Sequence, residues 1–185
     1  MTIINRDREK QINLIIYFVQ NTKKCFKTKL FKLLFFADFL HFKQTGKSIT
    51  GFSYAAWEHG PVPYDLYQEL KTPKEDLKSA ITIIDVPGNN FYKFVAKSKF
   101  DDRYFTRREL QIMSQVAAIF KEADAELMVE SSHLKNEPWH RTISTKGRGV
   151  VVEYTLALDN STGAISIEDY QELQQELEAF QRTFA

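Results

Sequence analysis

The sequence predicts an α+β fold: a predominantly helical single domain over residues 1–185, with a small antiparallel β-sheet or hairpin. Apolar residues recur at helical spacing in several segments. One β-branched segment, Ala80 to Val86 (AITIIDV), is followed by Pro87-Gly88-Asn89-Asn90 and then by Phe91 to Ala96 (FYKFVA), a strand–turn–strand pattern. No internal repeat, low-complexity tract or long linker divides the chain.

From the N-terminus, Asn5 or Asp7 is placed to cap a first helix reaching about Asn21, with Ile12, Ile15, Ile16 and Val19 on one face. A second helix starts near Thr28 and stops at Gly46, a residue suited to a helix C-terminus. Phe52 to Glu58 is short, aromatic and partly β-like; Pro61 and Pro63 then break the chain, and Pro63-Tyr64-Asp65-Leu66 opens a short third helix. Beyond the hairpin, Thr106 and Glu109 have the spacing of a capping box for a helix with Leu110, Met113, Val116, Ala117 and Phe120 on its apolar face. A further helix starts at Asp124 and carries Leu127, Met128 and His133. Val150 to Leu158 reads as a strand, and residues 167–182 as an amphipathic helix with Tyr170, Leu173, Leu177 and Phe180 on one side.

Composition narrows the function classes. The chain has 25 Lys and Arg against 24 Asp and Glu, a formal net charge of +1. That gives no electrostatic footprint for generic nucleic-acid binding, and specific DNA binding is not expected. Aromatic residues reach 14%, so a core or an interface is built heavily from rings. The single cysteine, Cys25, forms no internal disulfide and reads as a small buried residue in a reducing, cytoplasmic setting. The opening MTIINRDREKQ lacks a signal-peptide pattern, and no stretch reaches the ~18 apolar residues of a membrane span.

The second helix carries apolar residues on two sides. Leu30, Leu33, Leu34, Ala37, Leu40 and His41 fall on one, Phe31, Phe35, Phe39 and Phe42 on the other, and Lys29, Lys32 and Lys43 share a polar strip between them. The helix is either buried on both sides, or it turns part of its Phe face to a partner protein. Asp38 and His41, three apart, are placed as neighbours, either as a buried structural pair or as a carboxylate orienting a general base. Trp57-Glu58-His59-Gly60-Pro61-Val62-Pro63 forms one rigid corner, and Ser132-His133 with Pro138-Trp139-His140 a second. The four histidines and Asp38 lack HExxH or Cys/His spacing, so no metal and no cofactor is expected. Gly147-Arg148-Gly149 is too short for a phosphate cradle.

On KLLFFADFLHFKQTGKSITG, YAAWEHGPVPYDLYQEL and SHLKNEPWHRT the chain resembles the SocA-like or Panacea family of antitoxin domains, also described as phage-associated proteins. The family pattern falls on Ala37, Asp38, Ile49, Thr50, Gly51, Trp57, Gly60, Pro61, Val62, Ser132, His133, Pro138 and Trp139, and the likeness runs over roughly residues 10 to 145. The resemblance implies the antitoxin of a toxin–antitoxin pair, which binds a cognate protein toxin and blocks it. It also implies, for some members, an adaptor role toward a cytoplasmic protease. It supplies no catalytic residue. The expected contacts are aromatic and rigid: Phe35, Phe39, Trp57, His59, Tyr64, Tyr67 and Trp139. The rival expectation is a hydrolase whose pocket is built from Asp38, His41, His59 and His133.

Overall fold

A computed structural model describes residues 6–86, 91–159 and 161–184. It shows an α+β chain that is predominantly helical, with two small antiparallel two-stranded sheets. The elements run α1 (Arg6–Asn21), α2 (Lys27–Thr45), β1 (Tyr54–Trp57), β2 (Gly60–Pro63), α3 (Tyr64–Glu69), α4 (Glu75–Ala80), β3 (Ile81–Val86) and β4 (Phe91–Ala96). They continue with a 3-10 turn (Asp102–Tyr104), α5 (Arg107–Ile119), α6 (Ala125–Ser132), α7 (Pro138–Lys146), a second 3-10 turn (Tyr154–Ala157) and α8 (Ile167–Phe184).

α2 is the axis of the fold. It packs against α1, α5, α6, β2, β4 and the second 3-10 turn. A helix that is apolar nearly all round is stable only when it is covered nearly all round. Both apolar sides are accordingly buried, and Phe31, Phe35, Phe39 and Phe42 lie in the interior with Leu30, Leu33, Leu34 and Ala37. The lysine strip is the first correction. Lys29 and Lys32 are 1% and 2% exposed, and only Lys43 reaches partway to solvent. Their four-carbon stems run through apolar surroundings, and their ammonium groups end on backbone carbonyls. Lys29 Nζ donates to the carbonyls of Lys23, Lys121 and Ala123 at 2.8, 3.1 and 2.7 Å.

The helix stops where the sequence says it should. Gly46 takes φ 72°, and its N–H bonds Phe42 O at 2.7 Å. A Cβ there would sit 3.0 Å from both Ile165 and Tyr170, because the approach to α8 crosses this C-terminus. The expected capping box is present: Thr106 Oγ1 accepts from Glu109 N at 3.2 Å, and Glu109 Oε2 accepts from Thr106 N at 2.6 Å. Glu109 also takes the ammonium of Lys10, which ties α5 to α1. Its carboxyl is held below the usual range, because these bonds outweigh its burial. Cys25 is buried, and burial pushes its thiol up to about 11, away from a reactive thiolate.

The β3–β4 hairpin pairs Ile81 with Ala96 through Val86 with Phe91. Its expected turn, 87–90, and the expected Asn5 cap lie outside the described residues. Three other expectations are revised. Pro61 and Pro63 do not break the chain but lie within β2, which pairs with β1 from Tyr54–Pro63 to Trp57–Gly60. Proline is tolerated there because β2 is an edge strand. Residues 150–158 are not a continuous strand. Val151 makes one bridge to Ala55, flanked by bonds from Ala56 N to Val150 O and from Val152 N to Tyr54 O, and the chain then turns into 3-10 geometry. Pro138-Trp139 opens a helix, α7, with proline in its first turn where no N–H is needed.

The buried side chains form a cluster in which Leu34 is fully enclosed. Leu34→Ala should therefore lower unfolding free energy by about 2–5 kcal/mol in denaturant titration. A loss within about 0.5 kcal/mol, normal for exposed sites, would place the wrong face inside.

Candidate functional site

The motif residues meet at two buried polar centres on α2. At the first, the Asp38 carboxylate is wholly enclosed. Its Oδ1 accepts the N–H groups of Ile49 and Thr50, both at 2.8 Å. Its Oδ2 accepts the hydroxyls of Thr50, of Tyr54 at 2.7 Å and, more weakly, of Tyr154 at 3.5 Å. Burial pushes the carboxyl upward in pKa, and these hydrogen bonds act against that shift. The Tyr54 and Tyr154 phenols are raised by their own burial and by the neighbouring carboxylate. The single Tyr154 hydroxyl proton is shared with the nearer acceptor, Phe52 O at 2.7 Å, which closes the 48–52 loop over the site.

The second centre lies nearly two turns earlier on α2, at Lys32. Lys32 Nζ donates to Pro61 O at 3.0 Å. Gly60, at φ +100°, leaves the space that this amine occupies. A Cβ at Gly60 would lie 2.6 Å from Lys32 Cε, 2.7 Å from its Nζ and 2.7 Å from Ser132 Oγ. Glycine is thus fixed twice, by backbone sign and by the lysine and serine pressed against it. Burial pulls the Lys32 ammonium down to about 7. Beside it the His133 ring stacks on Trp139 with centroids 3.7 Å apart and planes 3° from parallel. His133 Nε2 is enclosed without a hydrogen-bond partner. Its pKa is lowered first by burial and then by Lys32, His59 and His140. Trp139 Nε1 donates to Trp57 O at 3.0 Å, so α7 is bolted to the end of β1.

The proposed hydrolase pocket is not assembled. Asp38 bonds Ile49, Thr50, Tyr54 and Tyr154. His41 Nδ1 donates to Lys47 O at 2.6 Å, and Thr45 Oγ1 donates to the His41 carbonyl at 2.8 Å. The expected Asp38–His41 pair is therefore two separate attachments, each holding the chain that follows α2. His59 is exposed in the β1–β2 turn, and His133 lies against Trp139. Among the described residues, no three His, Cys, Asp or Glu side chains are grouped to share a metal ion.

The candidate contact residues divide. Trp57 and Tyr67 are half-buried against each other, edge to face at 4.7 Å, while Tyr64 is 46% exposed at the start of α3. Lys71 lies 4.8 Å from the Tyr67 ring. Phe35 and Phe39 are interior side chains that help line a groove of about 630 Å³ between α2, α5, α7 and the second 3-10 turn. Trp139, expected to present its ring, is only 7% exposed. Sequence reasoning missed Lys32, Tyr54 and Tyr154. For Lys32 the one available signal is its position inside an apolar helix; the tyrosines carry none, because their link to Asp38 is purely spatial.

Asp38→Ala would leave two buried N–H groups and the Tyr54 hydroxyl without their acceptor, and should cost at least about 3 kcal/mol in chemical denaturation. Asp38→Asn keeps one oxygen for the N–H pair and lets the hydroxyls turn, so its loss should be clearly smaller. Equal losses would show that charge, not hydrogen-bond geometry, dominates. Lys32 gives a pH signature. Between about 7 and the ordinary lysine value the unfolded chain binds a proton that the folded chain does not, so the Lys32 contribution to stability rises with pH across this window. It flattens below about 7, where both states are protonated. The wild-type minus Lys32→Met difference in unfolding free energy should show this slope, up to about 5 kcal/mol over the window; a flat difference would mean the amine stays charged.

The family model described as antitoxin SocA-like, Panacea domain, matches residues 30–140. No curated protein and no solved structure matches the chain. The match runs from within α2 to the first turn of α7 and covers more than half of the chain, so the chain belongs to the SocA-like, Panacea-domain antitoxin family.

Proposed function

We propose that this protein is the antitoxin of a toxin–antitoxin pair and neutralises its cognate protein toxin by direct binding. Membership of the SocA-like antitoxin family carries this reading. The site geometry supports binding over catalysis. The charged and polar side chains at the two centres are spent on holding backbone: Asp38 on the 48–52 loop, Lys32 on β2, Lys29 on the ends of two loops.

The contacts proposed for the toxin lie on the hairpin and α3. Trp57, His59, Tyr64 and Tyr67 belong to one stretch of chain in which the β1–β2 turn leads directly into α3. Such aromatic side chains give large contact area at low entropic cost. Phe35 and Phe39 contribute through the groove they line, and Trp139 acts beneath, by fixing Trp57. No membrane route is indicated by the helices: none described is long and apolar enough to cross a bilayer.

Co-expression with the product of the adjoining gene tests the proposal. That product alone should arrest growth, the pair should restore it, and calorimetry should show a direct complex. Tyr64→Ala should fold normally yet weaken the complex, by roughly thirtyfold if the ring is a hot spot worth about 2 kcal/mol. Rescue without any detectable complex would overturn neutralisation by binding.

A further inference from the structure

His133 sits at the C-terminal end of α6, with its ring flat on Trp139 and its Nε2 enclosed without a hydrogen-bond partner. Among the described residues, no other buried side-chain nitrogen or oxygen is left in this way. The ring also lies among cations. The charged groups acting on it are Lys32 from α2, His59 from the β1–β2 turn and His140 from α7. The acids nearby in sequence are turned elsewhere: Glu58 is engaged by Arg148 at 3.4 Å, and Glu130 and Glu137 are exposed, as is Lys135. Lys29, one turn before Lys32 on α2, ends on the carbonyls of Lys23, Lys121 and Ala123.

A neutral imidazole fits this place, at the cost of one unmet acceptor. An imidazolium does not. It would put an N–H and a charge into an enclosed position with no acceptor and with the Lys32 amine nearby. Swung off Trp139, the same cation would remain at the C-terminal end of α6, where positive charge is favoured, and would reach water. The β1–β2 hairpin is fastened to this centre on both strands. Trp139 Nε1 donates to Trp57 O at the end of β1, and Lys32 Nζ donates to Pro61 O in β2. We infer that the His133 ring is a proton-operated latch on this hairpin: neutral, it lies on Trp139 and steadies the Trp139–Trp57 bond; protonated, it leaves the indole and loosens the turn that carries Trp57 and His59. The direction follows from linkage. Burial first, and then the neighbouring cations, hold His133 below the ordinary histidine range. The open form therefore takes up a proton that the latched form does not, and the latch weakens as pH falls through that range. Weaker toxin binding in acid is the consequence, and that consequence alone rests on the antitoxin reading.

Proton NMR and tryptophan emission on the full chain, titrated from about pH 8 to about pH 5, test the latch without a partner. The chain has four histidines, so His133→Phe, which keeps a flat ring on Trp139 but cannot titrate, identifies the His133 resonance by its loss. His133→Gln serves the same purpose if His133→Phe does not fold. In the wild type that resonance should titrate below the ordinary value of about 6.5, and indole emission should change with it. The emission change should vanish in His133→Phe, and Lys32→Met should move the His133 midpoint upward. A midpoint at or above about 6.5, or a ring that titrates while emission stays flat, would overturn the latch. Calorimetry with the purified product of the adjoining gene reads the consequence. About one pH unit below the midpoint only about a tenth of the chains stay latched, so wild-type affinity should fall about tenfold more than that of His133→Phe. Equal pH dependence in the two would overturn control of the hairpin by His133. A chain that titrates as expected and binds no toxin at any pH would keep the latch and overturn the antitoxin reading.

Discussion

The Asp38 carboxylate is the constraint on which the surrounding structure depends. A charge taken wholly out of water is costly unless each oxygen is met by donors. Here the donors come from three parts of the chain: residues 49–50 with their backbone and the Thr50 side chain, the first residue of β1, and the second 3-10 turn. Satisfying one side chain thus fixes the loop after α2, the start of the β1–β2 hairpin and the return of the chain past residue 150. Tyr54 also meets Phe39 edge to face and Tyr154 stacks on it, so the polar centre and the aromatic core define each other's positions. Removing the acceptor loosens several elements together, because their donors have no water to turn to.

Lys29 and Lys32 repeat this logic with the opposite sign. Each sends an ammonium out of α2 toward carbonyls that no ladder satisfies. Pro61 explains one of these needs. A proline strand on a sheet edge leaves main-chain groups outside the pairing, and the Lys32 amine meets one of them. The empty side of Gly60 is the other half of the arrangement, since the amine passes through the volume a side chain would fill. A lysine, a glycine and a proline from distant parts of the sequence therefore form one structural unit.

Local rules explain which features were legible in the sequence. Gly46 and the Thr106–Glu109 capping box act within one helical turn, and both are found as read. The β3–β4 strands follow from alternation and composition. Features set by distant partners were not legible. A helical wheel places Lys29 and Lys32 together as a polar strip, yet their carbonyl partners lie in other segments and turn that strip inward. Asp38 and His41 are neighbours by spacing, but a wheel cannot show that a following loop supplies nearer partners to each. The run from Val150 to Leu158 has strand composition throughout. Beyond Val152, however, β1 offers no further edge, and the pull of Tyr154 toward Phe52 and Asp38 favours a tight turn.

The residues that carry the sequence resemblance are mostly interior. Ala37, Asp38, Pro61, Val62, Ser132, Pro138 and Trp139 are all buried. Asp38, Pro61 and Trp139 are tied to buried partners in this chain: the Thr50 and Tyr54 hydroxyls, the Lys32 amine and the Trp57 carbonyl. The same reasoning separates scaffold from recognition. A side chain that must satisfy Asp38 or admit Lys32 has no freedom to follow the surface of a partner protein. The contacts proposed for the toxin lie at positions free of those obligations, the exposed hairpin turn at His59 and the outward ring of Tyr64. The buried centres make such a surface usable, since an interface loses less entropy on binding when its elements are already fixed from below.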